Sequence, residues 1–252
     1  MADDSRLASY HVRPGVTFPD WAAVSSPQAR EALLAILEAI GIESMWRDYT
    51  PAEDDVRTAL LRLYAEQGGA PAIADLARHA GVRESVIRSL LARLKARDLV
   101  VLDPDGERIV AAYPWTDRAT EHRVDLGERT LHALCAIDAL GAGDMYRRDV
   151  EIYSRCRSCA APVTIVTRDR GRAVADVQPE SAVVWSGVRH TDGCAADSMC
   201  TVIAFFCDGA HLEAWRAEHY RETPGFRLSI DEALQAGRAI FGPGLAGLGV
   251  TS

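Results

Sequence analysis

The sequence predicts an α+β protein, with a winged-helix-like helical N-terminal half followed by a mixed α+β, thiol-bearing domain of several short strands. Three observations carry that prediction. Apolar residues recur at helical spacing from Pro27 to Arg97. Beyond residue 100, short β-branched and aromatic runs alternate with turn residues. All six cysteines lie between Cys135 and Cys207, so the first 134 residues carry no thiol.

Taken in order, residues 1–26 hold scattered Pro, Gly and Ser and read as an irregular arm. A helix is predicted from Pro27 to Ile40, with Leu33, Leu34, Leu37 and Ile40 on one face. Pro51 to Gln67 reads as the next helix, because Thr50, Pro51 and Glu53 form a capping box with proline at the first helical position. Ile73 to Ala77 is a short helix, Gly81 a turn, and Arg83 to Arg97 a second helix with Val86, Leu90, Leu91 and Leu94 inward. Val100–Leu102 and Arg108–Val110 then flank Asp103-Pro104-Asp105-Gly106, a hairpin signal, which completes the winged-helix pattern. After a linker over 113–123, a helix is predicted from Leu131 to Leu140. Strands follow at Val150–Tyr153, Pro162–Thr167, Val183–Trp185 and Val202–Phe206. Helices over Leu212–His219 and Ser229–Phe241 close the chain, the latter opened by a Ser229–Glu232 capping box. The implied organisation is an N-terminal extension (1–50), a winged-helix-like domain (51–123) and a catalytic α+β domain (124–252).

Composition narrows the function. With 252 residues, 48% hydrophobic and 25% charged, the chain has the make-up of a globular protein. A net charge of −8 leaves no general footprint for nucleic acid. The start, Met1-Ala2-Asp3-Asp4-Ser5-Arg6, lacks a secretory pattern, and no stretch is apolar for long enough to cross a bilayer. A cytoplasmic location without a membrane partner is the expectation. In that reducing setting the cysteines should be free, catalytic or metal-binding. Lys95 is the only lysine, which reads as coding bias.

Cys135 and Asp138, three apart on the predicted helix, share a face amid apolar neighbours. Such a carboxylate can take a thiol proton and later donate it, provided burial raises its pKa. The plain alternative is a core cysteine beside a solvated aspartate. Cys200, in Ser198-Met199-Cys200-Thr201, stands where a loop enters an apolar strand. Two thiols converging with one carboxylate suit a soft, thiophilic cation.

The run Leu134-Cys135-Ala136-Ile137-Asp138-Ala139-Leu140 resembles the catalytic helix of bacterial organomercurial (alkylmercury) lyases. Cys156 with Ala161-Pro162-Val163 resembles that family's structural cysteine and the strand after it. Ser198-Met199-Cys200, with Phe205-Phe206, Trp215 and His219, resembles its second catalytic-cysteine segment. The similarity runs from about Pro51 to Gly242 and implies a definite chemistry. Cys135 and Cys200 capture R–Hg⁺, Asp138 helps protonate the departing carbon, and the hydrocarbon leaves Hg²⁺ on the three residues. No organic cofactor is implied; free thiols support turnover, and cytosolic thiols and a mercuric reductase are the implied partners. Departures are Cys159, Cys194, Cys207, the N-terminal extension, and Thr201 where the best-known members carry another cysteine.

Two alternatives remain. Cys156-x-x-Cys159 has metal-knuckle spacing, and Cys194, Cys200 and Cys207 could complete a four-thiolate zinc site in a member without lyase activity. The later gaps, five and six residues, do not repeat the knuckle. A DNA-binding, metal-responsive regulator would use the helix after Gly81, with Arg83 and Arg88 near phosphates. The seven basic and six acidic residues between Gly68 and Trp115 weigh against it. His132 reads as an exposed helix residue, and His190, His211 and His219 lack metal-ligand spacing. Tyr153 and Trp185 read as core aromatics before they read as pocket walls.

Overall fold

The computed structural model describes residues 8–191 and 193–247; residues 1–7 of the predicted arm lie outside them. The rest of that arm is not irregular: β1 (Tyr10–Arg13) and β2 (Val16–Phe18) form an antiparallel hairpin. Next comes α1 (Pro27–Ile40), bounded as its sequence signals demand. Ser26 accepts from the Ala29 N–H at one end, and Gly41 adopts the left-handed conformation at the other. A short α2 (Ile42–Trp46) leads to α3 (Pro51–Gln67), where the Thr50–Glu53 capping box forms. Glu53 does more than cap. It is fully buried and takes Arg97 at 2.7 Å and Arg93 at 2.9 Å, tying α3 to the next helical pair.

That pair is α4 (Ile73–Ala80) and α5 (Glu84–Ala96). The inward face of α5 is Ile87, Leu91 and Leu94, whereas Val86 is 37% exposed, so the predicted face is rotated by about one residue. Strands β3 (Val100–Leu102) and β4 (Ile109–Ala112) form the predicted hairpin. It does not stand apart. β5 (Trp115–Thr116) pairs with β4 and with β7 (Thr130–Ala133), itself bonded to β6 (Arg123–Asp125). After α6 (Ala136–Tyr146), strands β8 (Glu151–Arg155), β9 (Pro162–Arg168) and β10 (Ala173–Gln178) extend the same sheet. Its eight strands run in the order β10-β9-β8-β6-β7-β5-β4-β3, all pairs antiparallel. A second sheet holds β11 (Val183–Gly187) between β12 (Ile203–Phe206) and β13 (Gly225–Ser229). Helix α7 (Gly209–His219) follows β12, and α8 (Ile230–Phe241) follows β13 through the expected Ser229–Glu232 capping box. The α+β class is as the sequence predicts.

Helix α6 is the pivot. All its residues are buried, from Ala136 to Tyr146. A helix enclosed on every side carries no amphipathic stripe, so periodicity cannot locate it. The sequence therefore placed it several residues early: Thr130–Ala133 is a strand, and the helix begins after Cys135. His132 accordingly lies on that strand, half-buried, with its Nδ1 near the Thr120 backbone.

Helix α6 meets α8 at two glycines. A Cβ on Gly141 would lie 2.4 Å from Phe241 and 2.6 Å from the Gly237 carbonyl oxygen. Part of that obstruction is backbone, so rotamer change cannot relieve it. Gly141→Ala is expected to destabilise the protein by about 3 kcal/mol, in the upper range for overpacking. A shift of the urea midpoint at constant m-value would measure it; an unchanged midpoint would mean the helices separate freely.

Candidate active site

Cys135 sits at the junction of β7 and α6 as the N-cap residue, with φ −149° and ψ 179°. Its Sγ accepts the Asp138 backbone N–H at 3.4 Å. Capping by sulfur places the thiol at the positive end of the helix dipole, where a thiolate is favoured. Asp138 is in the first turn behind it, 4% exposed. Cys200 begins a short 3₁₀ turn (Cys200–Val202) just before β12, and its Sγ donates to Asp138 Oδ2 at 3.7 Å. One ligand atom from each of Cys135, Asp138 and Cys200 lies within 4.8 Å of the others, and all three residues are buried. The structure thus brings together the three residues singled out in the sequence, although Cys135 caps the helix instead of lying on its face.

Burial dominates the electrostatics here. It raises the Asp138 carboxyl to about 7, against weaker lowering by hydrogen bonds from Cys135 and Cys200. Burial also pushes the Cys135 thiol up, opposed by its hydrogen bond with Cys200 and reinforced by the Asp138 charge. Cys200 is held well above the ordinary thiol value, first by its hydrogen bond to Cys135 and then by burial. Without a metal the site therefore favours protons on sulfur. A thiophilic cation would reverse that preference, because a coordinating thiol is deprotonated outright.

The trio opens into a largely apolar cavity of about 90 Å³, whose walls include Phe18, Trp46, Leu99, Ile137, Met199 and Phe241. Phe18 and Trp46, 4.8 Å apart between ring centroids, come from the first fifty residues, so the predicted extension supplies a wall of the cavity. On its other side Cys200 borders a more open, polar groove containing Arg118, Glu121 and Arg157.

Sequence reasoning missed the residues that hold the Cys200 loop. Asp98 accepts the Ala195 N–H at 2.8 Å, and the Tyr113 hydroxyl accepts the Ala196 N–H at 2.8 Å while donating to Asp98 at 3.0 Å. Inside the loop, the Cys200 N–H donates to the Ala195 carbonyl at 2.8 Å. Nothing local marks these partners, because the contacts span 83 and 97 residues.

The profile of the family described as alkylmercury lyase matches residues 115–242, just over half of the chain and the whole segment bearing Cys135, Asp138 and Cys200. The chain belongs to the alkylmercury lyase family. An alkylmercury lyase of Staphylococcus epidermidis is 28% identical over 180 residues, covering 71% of this chain and 78% of its own length. One from Bacillus cereus is 27% identical over 173 residues, covering 68% and 74%. A crystal structure of the mercury-bound form of MerB2 superposes with a TM-score of 0.63 at 24% identity, covering 85% of this chain and 97% of the other. That likeness supports the fold.

Other sequence expectations change within this family frame. The proposed grouping of Cys156, Cys159, Cys194, Cys200 and Cys207 is divided. Cys200 belongs with Asp138, Cys194 lies beside Asp197 at 3.5 Å, and Cys156, Cys159 and Cys207 gather elsewhere with His211. Neither Tyr153 nor Trp185 lines the cavity: Tyr153 is 38% exposed on β8, and buried Trp185 packs under Arg216 at 4.0 Å. Arg88 pairs with Glu107 of the β3–β4 hairpin at 2.8 Å, which offsets its charge for any phosphate contact. Among the described residues, no helix is long and apolar enough to cross a membrane.

Proposed function

We propose that this lyase cleaves its carbon–mercury bond with Cys135, Cys200 and Asp138. The observation that carries the reading is the buried proton-exchange triangle: two thiols against one carboxyl whose pKa lies near 7. Such a group can both take a thiol proton and give it up near neutral pH. An organomercurial thiolate, R–Hg–SR′, enters the apolar cavity with its organic group toward Phe18 and Trp46. Cys135 displaces R′SH, its own proton leaving with that thiol. Cys200 then adds to mercury and passes its proton to Asp138. Sulfur ligation enriches mercury in electrons and weakens the Hg–C bond. The bond breaks with its electron pair on carbon, which takes the proton from Asp138 as RH departs.

Hg²⁺, the product, is left between Cys135 and Cys200 beside the Asp138 carboxylate. Two external thiols remove it as Hg(SR′)₂ and return two protons to the cysteines. The net reaction is R–Hg–SR′ + R′SH → RH + Hg(SR′)₂. No organic cofactor enters this balance. The reducing cytosol supplies the thiols, and a mercuric reductase is a fitting recipient for the released ion. The polar groove beside Cys200 offers those thiols a route.

Phenylmercury or methylmercury incubated with the protein and excess free thiol is the direct test. Benzene or methane should appear well above the thiol-only blank, with one Hg²⁺ formed per hydrocarbon. Release no faster than that blank would remove the proposal for these substrates.

A further inference from the structure

A second cysteine cluster lies outside the catalytic triangle. Cys156 and Cys159 occupy the turn between β8 and β9, while Cys207 and His211 flank the start of α7. Their ligand atoms all lie within 4.8 Å of one another. Cys159 Sγ is 3.6 Å from Cys207 Sγ, and Cys207 Sγ is 3.0 Å from His211 Nδ1. Zinc–sulfur bonds of about 2.3 Å in a tetrahedron put sulfurs roughly 3.8 Å apart. The four side chains are thus within a few tenths of an ångström to an ångström of a closed coordination shell.

The backbone supplies an independent observation. Cys156 sits in a closed turn, its own N–H donating to the Ala161 carbonyl at 2.8 Å. The Ala160 N–H returns to the Cys156 carbonyl at 2.8 Å, and Ala160 takes a left-handed φ of 60°. This closed turn brings the Cys156 and Cys159 thiols together, as a metal knuckle requires. The spacing also agrees: Cys156-x-x-Cys159 followed by Cys207-x-x-x-His211 is a C-x₂-C, C-x₃-H arrangement. His211, which by sequence lacks metal-ligand spacing, acquires it once paired with Cys207.

We infer that Cys156, Cys159, Cys207 and His211 form a structural site for a tetrahedral, thiophilic divalent cation, with Zn²⁺ the ion it fits. Three thiolates and a neutral imidazole close the shell, leaving no open position for substrate. Binding releases the thiol protons to solvent. His211 Nδ1, 3.0 Å from Cys207 Sγ and 3.2 Å from Asp208 Oδ2, turns its lone pair to the metal in the tautomer that carries the proton on Nε2. Asp208 then remains the helix cap, accepting the His211 N–H at 2.8 Å.

The location gives the site a purpose. Cys207 directly follows β12, whose other end begins just after the Cys200 turn, and the Arg157 N–H donates to the Phe205 carbonyl at 3.0 Å. A cation there fastens the β8–β9 turn of the large sheet to the strand that follows the Cys200 turn. It also occupies three thiols that would otherwise compete with Cys135 and Cys200 for mercury.

Metal content tests this without reference to catalysis. The reduced full-length protein, stripped with chelator and titrated anaerobically with Co²⁺, should bind one equivalent. Intense tetrahedral d–d bands and sulfur-to-cobalt charge transfer should appear, and Zn²⁺ should displace the cobalt. The Cys135→Ser/Cys200→Ser double variant and Cys194→Ser should retain those bands. Cys159→Ser and His211→Ala, both at partly exposed positions and so expected to fold, should each weaken binding by at least a hundredfold. Bands lost in the Cys135/Cys200 variant but kept in Cys159→Ser would overturn the assignment. So would absence of tetrahedral cobalt in the wild type, or a Cys159–Cys207 disulfide that persists in reductant.

Discussion

Cys135→Ser and Cys200→Ser proteins should each release hydrocarbon from phenylmercury no faster than the thiol-only blank while remaining folded. Serine is nearly isosteric with cysteine, so the small, buried site is not opened. What changes is affinity for mercury: an alkoxide is a hard ligand with a very high pKa, while a thiolate is soft and easily formed on metal contact. The two variants should nevertheless differ in what they bind. Burial raises both thiols, but Cys135 caps α6 at the positive end of its dipole and its hydrogen bond with Cys200 lowers it, whereas that same bond holds Cys200 well above the ordinary thiol value. In the proposed mechanism this makes Cys135 the first attacking sulfur. Cys200→Ser should still form a one-to-one adduct with phenylmercury, visible by mass spectrometry, and stall there. Cys135→Ser should form that adduct much more slowly. Equal residual turnover in both variants would mean that the thiols do not act as a pair.

Asp138→Asn should lower turnover by about 10²- to 10⁴-fold, the usual span for loss of a positioned acid–base group. The same change should make the protein more stable. The Asp138 pKa is raised from 3.8 to about 7 in the folded protein. Between those values the unfolded chain has lost its proton while the folded one keeps it. Folding then takes up a proton, and stability falls as pH rises. The loss begins near pH 4, has a slope of about 1.4 kcal/mol per pH unit and levels off above pH 7, reaching on the order of 4 kcal/mol. Asparagine carries no charge to desolvate and escapes this penalty. Urea unfolding of both proteins from pH 4 to pH 8 should show the variant gaining stability over the wild type across that window and no further above it. A difference that does not change with pH would mean that Asp138 titrates as an ordinary surface carboxyl and is not the proton carrier.

Much of this architecture is legible in sequence wherever a local signal exists. Thr50-Pro51-x-Glu53 and Ser229-x-x-Glu232 locate two helix starts because capping is a contact between near neighbours. Strands β9 and β11 carry apolar runs that stand out against polar turns. Prediction weakens where burial is complete or where pairing alone makes the strand. Helix α6 has no polar face to set its phase, so periodicity starts it too early and encloses Cys135, which in the structure is its N-cap. β10 (Ala173–Gln178), a short, solvent-facing stretch with no continuous apolar run, exists because β9 offers it an edge.

The site divides along the same line. The resemblance of their segments to a known family singled out Cys135, Asp138 and Cys200 and implied a thiophilic substrate, whereas residue types alone left both cysteines readable as core thiols. Only the tertiary structure decided that Cys200 lies 3.7 Å from Asp138, that Asp98 and Tyr113 hold its loop, and that the first fifty residues wall the cavity. It also decided that His211, not Cys194, joins Cys156, Cys159 and Cys207. The physical reason is distance along the chain. A pKa near 7 on an aspartate depends on desolvation by elements far apart in sequence, and no window of residues contains that information.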